Sequence, residues 1–182
     1  MVAIVPMKPI KAAKSRLASD LDTSSRQLLA LNLLRHVVRC ASLASLDSLW
    51  VIGGGFTVRQ VVEGLGACWL EDDTADLNSC LAQAFASAFQ RKLTPLYLPG
   101  DLPLVDWQEI QELVGALRPN TDLVISPDER GEGTNALVLP VGSPLRPSLG
   151  PGSFHRHLQN ASALGLYPTI YQSHGLGFDL DT

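Results

Sequence analysis

Apolar residues follow two rhythms along this chain. Short, nearly unbroken runs recur at VAIV (2–5), SLWVI (48–52), ACWL (67–70), TPLYL (94–98), DLVIS (122–126), ALVLP (136–140) and YPTIYQ (167–172). Runs of this length, bounded by Gly and Pro, read as strands, with VAIV buried on both faces. Between them lie longer stretches with helical spacing. SSRQLLALNLLRHVVRCASLASL (24–46) follows a Ser/Thr/Asp cluster; Asn32, Arg35 and Arg39 form its polar stripe, with Leu28, Leu31, Leu34 and Val38 on the opposite side. TVRQVVEGLG (57–66) reads as a short helix with Thr57 as N-cap. TADLNSCLAQAFASAFQRK (74–92) is a second long helix ending in two cations that suit its C-terminal dipole. DWQEIQELVGALRP (106–119) opens with Asp106 and Glu109 at capping-box spacing, and SFHRHLQNASALG (153–165) is a helix with Ser153 as N-cap.

Strands alternating with helices predict one α/β domain over residues 1–182, with a mostly parallel sheet covered on both faces. Ligands of such folds collect beyond the carboxyl ends of the strands. The composition agrees: 182 residues, 46% hydrophobic and 18% charged, suffice for one sizeable core. No apolar run reaches the roughly 18 to 20 residues of a bilayer span, and the N-terminal cations follow the first apolar run instead of preceding it. The expectation is a soluble cytoplasmic protein. Cys40, Cys68 and Cys80 share no metal-like spacing and read as small buried hydrophobes.

Charge changes the picture at one end. Residues 1–20 carry Lys8, Lys11, Lys14 and Arg16 against Asp20, a net of +3, so the remainder holds −7 of a total of −4. A nucleic-acid surface would be broader and more basic; a small basic patch suits a small polyanion. Pro6 and Pro9 exclude regular structure between the first strand and first long helix, making this segment a loop at a strand's carboxyl end, able to neutralise phosphate or simply to solubilise. It lacks the glycines of a phosphate-binding Walker loop. Gly53-Gly54-Gly55 fails the dinucleotide fingerprint, because Val58 stands where the third glycine belongs; a tight strand-to-helix turn suffices.

Asp101 in LPGDLPLV follows a buried strand between Gly100 and Pro103, a stiff setting that suits either a Mg²⁺ ligand or a turn former. Gly133, Thr134 and Asn135 sit before a strand as an anion cradle or an ordinary turn. Gly150, Pro151 and Gly152 lead to Ser153 at a helix N-terminus, an anion site or a plain cap. His155 and His157, two apart on a helix, cannot chelate one metal and read as surface or partly buried. Asp179 and Asp181 in extended chain would project to one side, as a cation site or a solvated tail.

In this order, VPMKPIKAAKSRL, LPGDLPLV, GTNALVL, GPGSFHRHL and DLDT resemble the guanylyltransferases of coenzyme F420 biosynthesis, whose fold is shared with the molybdenum-cofactor guanylyltransferases. The resemblance runs end to end. It implies a single Rossmann-like three-layer domain of the nucleotide-diphospho-sugar transferase type, using GTP and Mg²⁺. It implies transfer of GMP to a small phosphorylated three-carbon acid (2-phospho-L-lactate, phosphoenolpyruvate or 3-phosphoglycerate) with pyrophosphate leaving. On this pattern Asp101, Asp179 and Asp181 hold metal, while Thr134, Gly150 and Ser153 hold the acceptor. Lys8, Lys14 and Arg16 take the nucleotide phosphates, with Asn78 beside the nucleotide and Asp101, Lys14 and Arg16 carrying catalysis. Asp76 stands where relatives often have glycine, and the chain stops at Thr182 where they usually continue. Two other readings share the fold: a nucleotidyltransferase for a sugar phosphate or molybdopterin, and a non-catalytic nucleotide binder. No membrane or nucleic-acid partner is expected; the exposed face of the 25–46 helix could serve a homodimer.

Overall fold

The computed structural model describes residues 1–74 and 76–180. Seven strands form one sheet: β1 (Val2–Met7), β2 (Ser48–Gly53), β3 (Cys68–Leu70), β4 (Pro95–Tyr97), β5 (Leu123–Pro127), β6 (Thr134–Val138) and β7 (Pro168–Ile170). Their spatial order is β3-β2-β1-β4-β6-β5-β7, with every pair parallel except those made by β6. The mostly parallel α/β domain expected from the alternation is therefore present, with one reversed strand.

Helices α1 (Thr23–Leu43), α2 (Phe56–Gly64) and α4 (Trp107–Gly115), with the single turn α6 (His174–Gly177), cover one face. Helices α3 (Leu77–Gln90) and α5 (Ser153–Ala163) cover the other. The period-two geometry of a strand divides β1 between them: Ala3 and Val5 pack with Leu34, Val38 and Val58, whereas Val2 and Ile4 pack with Leu81 and Phe85. Val2, Ala3, Ile4 and Val5 have no exposed surface, which explains their unbroken apolar run. No helix among the described residues is long and apolar enough to cross a membrane.

Several local expectations are corrected. Strand β1 continues through Pro6 to Met7, pairing Pro6 with Ile52 of β2, because β4 pairs only as far as Ile4 and needs no donor from the proline. The following loop is not irregular throughout but contains 3-10 turns at Ile10–Ala12 and Ser15–Ser19. Helix α1 starts from Asp22, whose carboxylate accepts from the Ser25 N–H, and Leu28 lies off its buried stripe at 58% exposure. Gly55, not Thr57, caps α2, and Gly152, not Ser153, caps α5. Thr134 and Asn135 lie inside β6 instead of before it. Cys68 is exposed, unlike Cys40 and Cys80. The Asp106–Glu109 capping box of α4 is present in both directions.

The carboxyl ends of β2 and β1 approach closely. Gly53 has φ +81°, and a Cβ there would lie 2.7 Å from the Met7 carbonyl oxygen. Gly55 has φ +77°, but a Cβ there would meet nothing within 4 Å. Gly53→Ala should therefore cost about 2 kcal/mol or more, combining left-handed strain with a backbone clash. Gly55→Ala, which incurs strain alone, should cost about 1 kcal/mol. Thermal unfolding should place the Gly53 variant several degrees below the Gly55 variant; equal losses would contradict the close approach.

Candidate active site

A cavity of about 860 Å³ opens at the carboxyl ends of β1, β2 and β4, bounded on one side by the basic opening loop. Lys8, Lys14 and Arg16 line it together with Gly100 and Asp101, so the structure brings the expected cations and the expected carboxylate to one place. Lys14 is the hinge of this arrangement. Its backbone is left-handed (φ 52°, ψ 37°) between the two 3-10 turns, and its side chain is only 7% exposed. The ammonium donates to Asp101 Oδ2 at 2.5 Å and to the Leu180 carbonyl at 2.6 Å. The Leu180 N–H in turn donates to the Asp101 carbonyl at 3.2 Å, bringing the C-terminal segment alongside the end of β4. Gly100 packs closely just before this point: a Cβ there would lie 2.6 Å from Met7 Sδ, and the methionine side chain would have to shift.

Two oxygen acceptors thus converge on one cationic group, and oxygen is the donor type that Mg²⁺ takes. Asp179 lines an adjoining cavity of about 190 Å³ with Asp128, Arg130 and Phe178; Arg16 borders both cavities. Among the described residues no cluster of three His, Cys, Asp or Glu side chains is close enough to hold a metal. The expectation for Asp181 lies outside the described residues.

The far wall of the large cavity was not anticipated. Gly53, Gly54 and Gly55 form it with Phe56, Trp69 and Asp72. All three glycines have positive φ, and Trp69 Nε1–H donates to the Gly53 carbonyl at 2.8 Å. Asp76 also lines the cavity and caps α3. The Ser79 hydroxyl, with the N–H groups of Ser79 and Asn78, holds the Asp76 carboxyl below its ordinary value. Asn78 does not line the cavity. Its amide is engaged with Leu149, donating to the carbonyl at 3.1 Å and accepting from the N–H at 2.6 Å.

Thr134 and Ser153 come together at the start of β6 and of α5, but buried, at 5% and 2% exposure, and outside both cavity walls. Strands β4 and β6 run antiparallel with Tyr97 opposite Leu137, so Thr134 and Asp101 leave the sheet at the same edge. The β5–β6 register shifts between Ser126 and Pro127, which face Ala136 and Thr134; Asn135 is the extra residue. This bulge turns Thr134 toward α5 while Asn135 donates to the Leu176 carbonyl on the opposite face. Gly150 (φ +118°) lies in a loop pinned by Arg156, which donates to Ser148 and to the Pro151 carbonyl.

His157, expected at or near the surface, has no exposed area. Nδ1 lies 3.0 Å from Thr134 Oγ1, and Nε2 accepts the Ser148 N–H at 2.8 Å. Burial, assisted by the Arg156 charge, pushes its pKa down to about 4. The neutral ring is therefore the folded form near neutrality, and the associated stability is present above the unfolded value of about 6.5 and lost as pH falls toward 4. The loss should be on the order of 3 kcal/mol at 1.36 kcal/mol per unit. Urea unfolding at pH 7 and pH 4.5 should show a steeper acid loss for the wild type than for His157→Gln; parallel losses would contradict the buried neutral ring.

The family model described as "Guanylyl transferase CofC like" matches residues 1–182. A phosphoenolpyruvate guanylyltransferase from Chloroflexus aggregans is 36% identical over 183 residues, spanning 97% of this chain and 90% of that protein. A 2-phospho-L-lactate guanylyltransferase from Methanocaldococcus vulcanius is 30% identical over 182 residues, spanning 100% and 80% respectively. In fold alone, the chain is similar to the crystal structure of a candidate nucleotide-diphospho-sugar transferase from Desulfovibrio desulfuricans G20. That match has a TM-score of 0.77 and 15% identity, and covers 94% of this chain and 79% of the other.

Proposed function

The chain belongs to the CofC-like guanylyl transferase family, and on that premise we propose that it moves GMP from GTP onto a small phosphorylated three-carbon acid, in coenzyme F420 biosynthesis. The acceptor is phosphoenolpyruvate or 2-phospho-L-lactate, after the activities for which its relatives are named. The observation that carries this reading is the gathering of Lys8, Lys14, Arg16 and Asp101 in the lining of one 860 Å³ cavity at the carboxyl edge of parallel strands.

An oxygen of the acceptor phosphate attacks the α-phosphorus of GTP. The bond from that phosphorus to the β-bridging oxygen breaks, and pyrophosphate leaves. The attacking phosphate is already ionised near neutral pH, so the chain supplies position and counter-charge instead of a strong base. Lys8, Lys14 and Arg16 take the charge that builds on the leaving pyrophosphate. Thr134 and Ser153, with the Gly150 loop, hold the acceptor, and Arg16 lies between the large cavity and the one lined by Asp179. Asp101 and Asp179, with Asp181, would hold Mg²⁺, which when bound polarises phosphate oxygens. In the resting protein Lys14 holds the oxygens of Asp101 and Leu180; with nucleotide present its ammonium turns to phosphate.

Purified protein should release pyrophosphate from GTP and Mg²⁺ when given phosphoenolpyruvate or 2-phospho-L-lactate, and not when ATP or CTP replaces GTP. Asp101→Asn should lower kcat at least a hundredfold, about 3 kcal/mol of transition-state stabilisation, while keeping a cooperative thermal transition. Near-normal turnover by this variant would overturn the role given to Asp101.

A further inference from the structure

We infer that His157 is a positioning residue that fixes the hydrogen-bond polarity of the Thr134–Ser153 pair, so that the pair offers a donor to the acceptor's anionic group. This rests on the reading of Thr134 and Ser153 as acceptor-holding groups.

The argument is a count of hydrogens. A peptide N–H can only donate, so the nitrogen that takes the Ser148 N–H, His157 Nε2, carries no proton. The buried ring is neutral, so its one proton is on Nδ1, which faces Thr134 Oγ1 at 3.0 Å. Thr134 therefore accepts from His157. Ser153 Oγ–H also donates to Thr134 Oγ1, at 3.2 Å. Two hydroxyls hold two hydrogens, and the contact between them uses one. The other remains to be donated outward, and an incoming phosphate or carboxylate oxygen can take it.

With the opposite tautomer the count changes. Thr134 would donate to Nδ1, Ser153 would donate to Thr134, and the pair would have no hydrogen left to offer. It would then present lone pairs to an anion. The ring's tautomer thus decides whether this buried corner attracts or repels the acceptor. What sets the tautomer is the Ser148 N–H, and that residue is held in place by Arg156, whose guanidinium donates to the Ser148 carbonyl and hydroxyl. Both side chains lie on the first turns of α5, the element that also carries Ser153. The β6 bulge supplies the other half by aiming Thr134 at this helix.

Amide variants separate the two ring nitrogens. A glutamine at 157 places its amide near the position of Nε2, keeping an acceptor for the Ser148 N–H and losing the donor to Thr134. An asparagine places its amide near Nδ1, keeping the donor and losing the acceptor. Steady-state kinetics with phosphoenolpyruvate, and separately with 2-phospho-L-lactate, should show at least a tenfold rise in acceptor KM for Thr134→Val, with GTP KM within twofold. His157→Gln should follow Thr134→Val, and its acceptor KM should exceed that of His157→Asn at least threefold. If Thr134→Val raises acceptor KM while the two His157 variants behave alike, the histidine only packs and the inference is overturned. If Thr134→Val leaves acceptor KM unmoved, the acceptor assignment itself falls, and the inference with it. Should the His157 variants fail to fold, ¹⁵N-imidazole NMR of the wild type decides: a proton on Nδ1 supports the inference and a proton on Nε2 overturns it.

Discussion

The Lys14 ammonium joins parts of the chain that are far apart in sequence. It reaches Asp101, 87 residues away, and the Leu180 carbonyl, 166 residues away. A largely buried ammonium is tolerated only when its donors are satisfied, so the opening loop, the end of β4 and the C-terminal segment are held together as one unit. The strands supply the platform. Because β1 and β4 are adjacent and parallel, their carboxyl ends emerge side by side, and the loop after β1 comes within reach of the residue after β4. The left-handed backbone at Lys14 is the local strain accepted for that reach.

From this unit the site extends both ways across the sheet. Toward β2 and β3, three successive glycines let the chain turn tightly and form the far wall. Toward β6 and α5, the bulge at Asn135 and the pinned Ser148–Gly152 loop build the corner that contains Thr134 and Ser153. Asn78 connects the halves. It stands in the first turn of α3, whose cap Asp76 lines the large cavity, yet its amide clamps Leu149 beside the smaller corner. The large cavity and the Thr134–Ser153 corner therefore share a rigid element instead of a flexible linker.

Much of this was legible from the chain itself. Unbroken apolar runs identified the doubly covered strands, and the crowding of Lys8, Lys14 and Arg16 after the first of them pointed to the cavity they line. Asp101, fixed between Gly100 and Pro103, was legible for the same reason: a polar group at a strand's carboxyl end has few other places to face. The tri-glycine turn was visible, but a motif test built for dinucleotides could not reveal that it forms a cavity wall. His157 was misplaced because two histidines in a polar helix give no local signal of depth; its ring is met by Thr134 of β6 and Ser148 of the preceding loop, which are tertiary contacts. The cap of α5 failed for a related reason. Ser153 looks like a cap by composition, but its hydroxyl is bound to Thr134, leaving Gly152 in the left-handed conformation to begin the helix.

The metal role proposed for Asp101 requires the Lys14 ammonium, which holds the same carboxylate at rest, to give way to the cation. Mn²⁺ binding followed by electron paramagnetic resonance, without nucleotide, tests this most directly in the wild type and in Lys14→Met. Removing the ammonium should tighten Mn²⁺ binding severalfold, and added GTP should narrow the difference as the wild-type lysine turns to phosphate. Equal or weaker binding by the variant would contradict the claim, and would leave the Lys14–Asp101 pair as a structural tie alone.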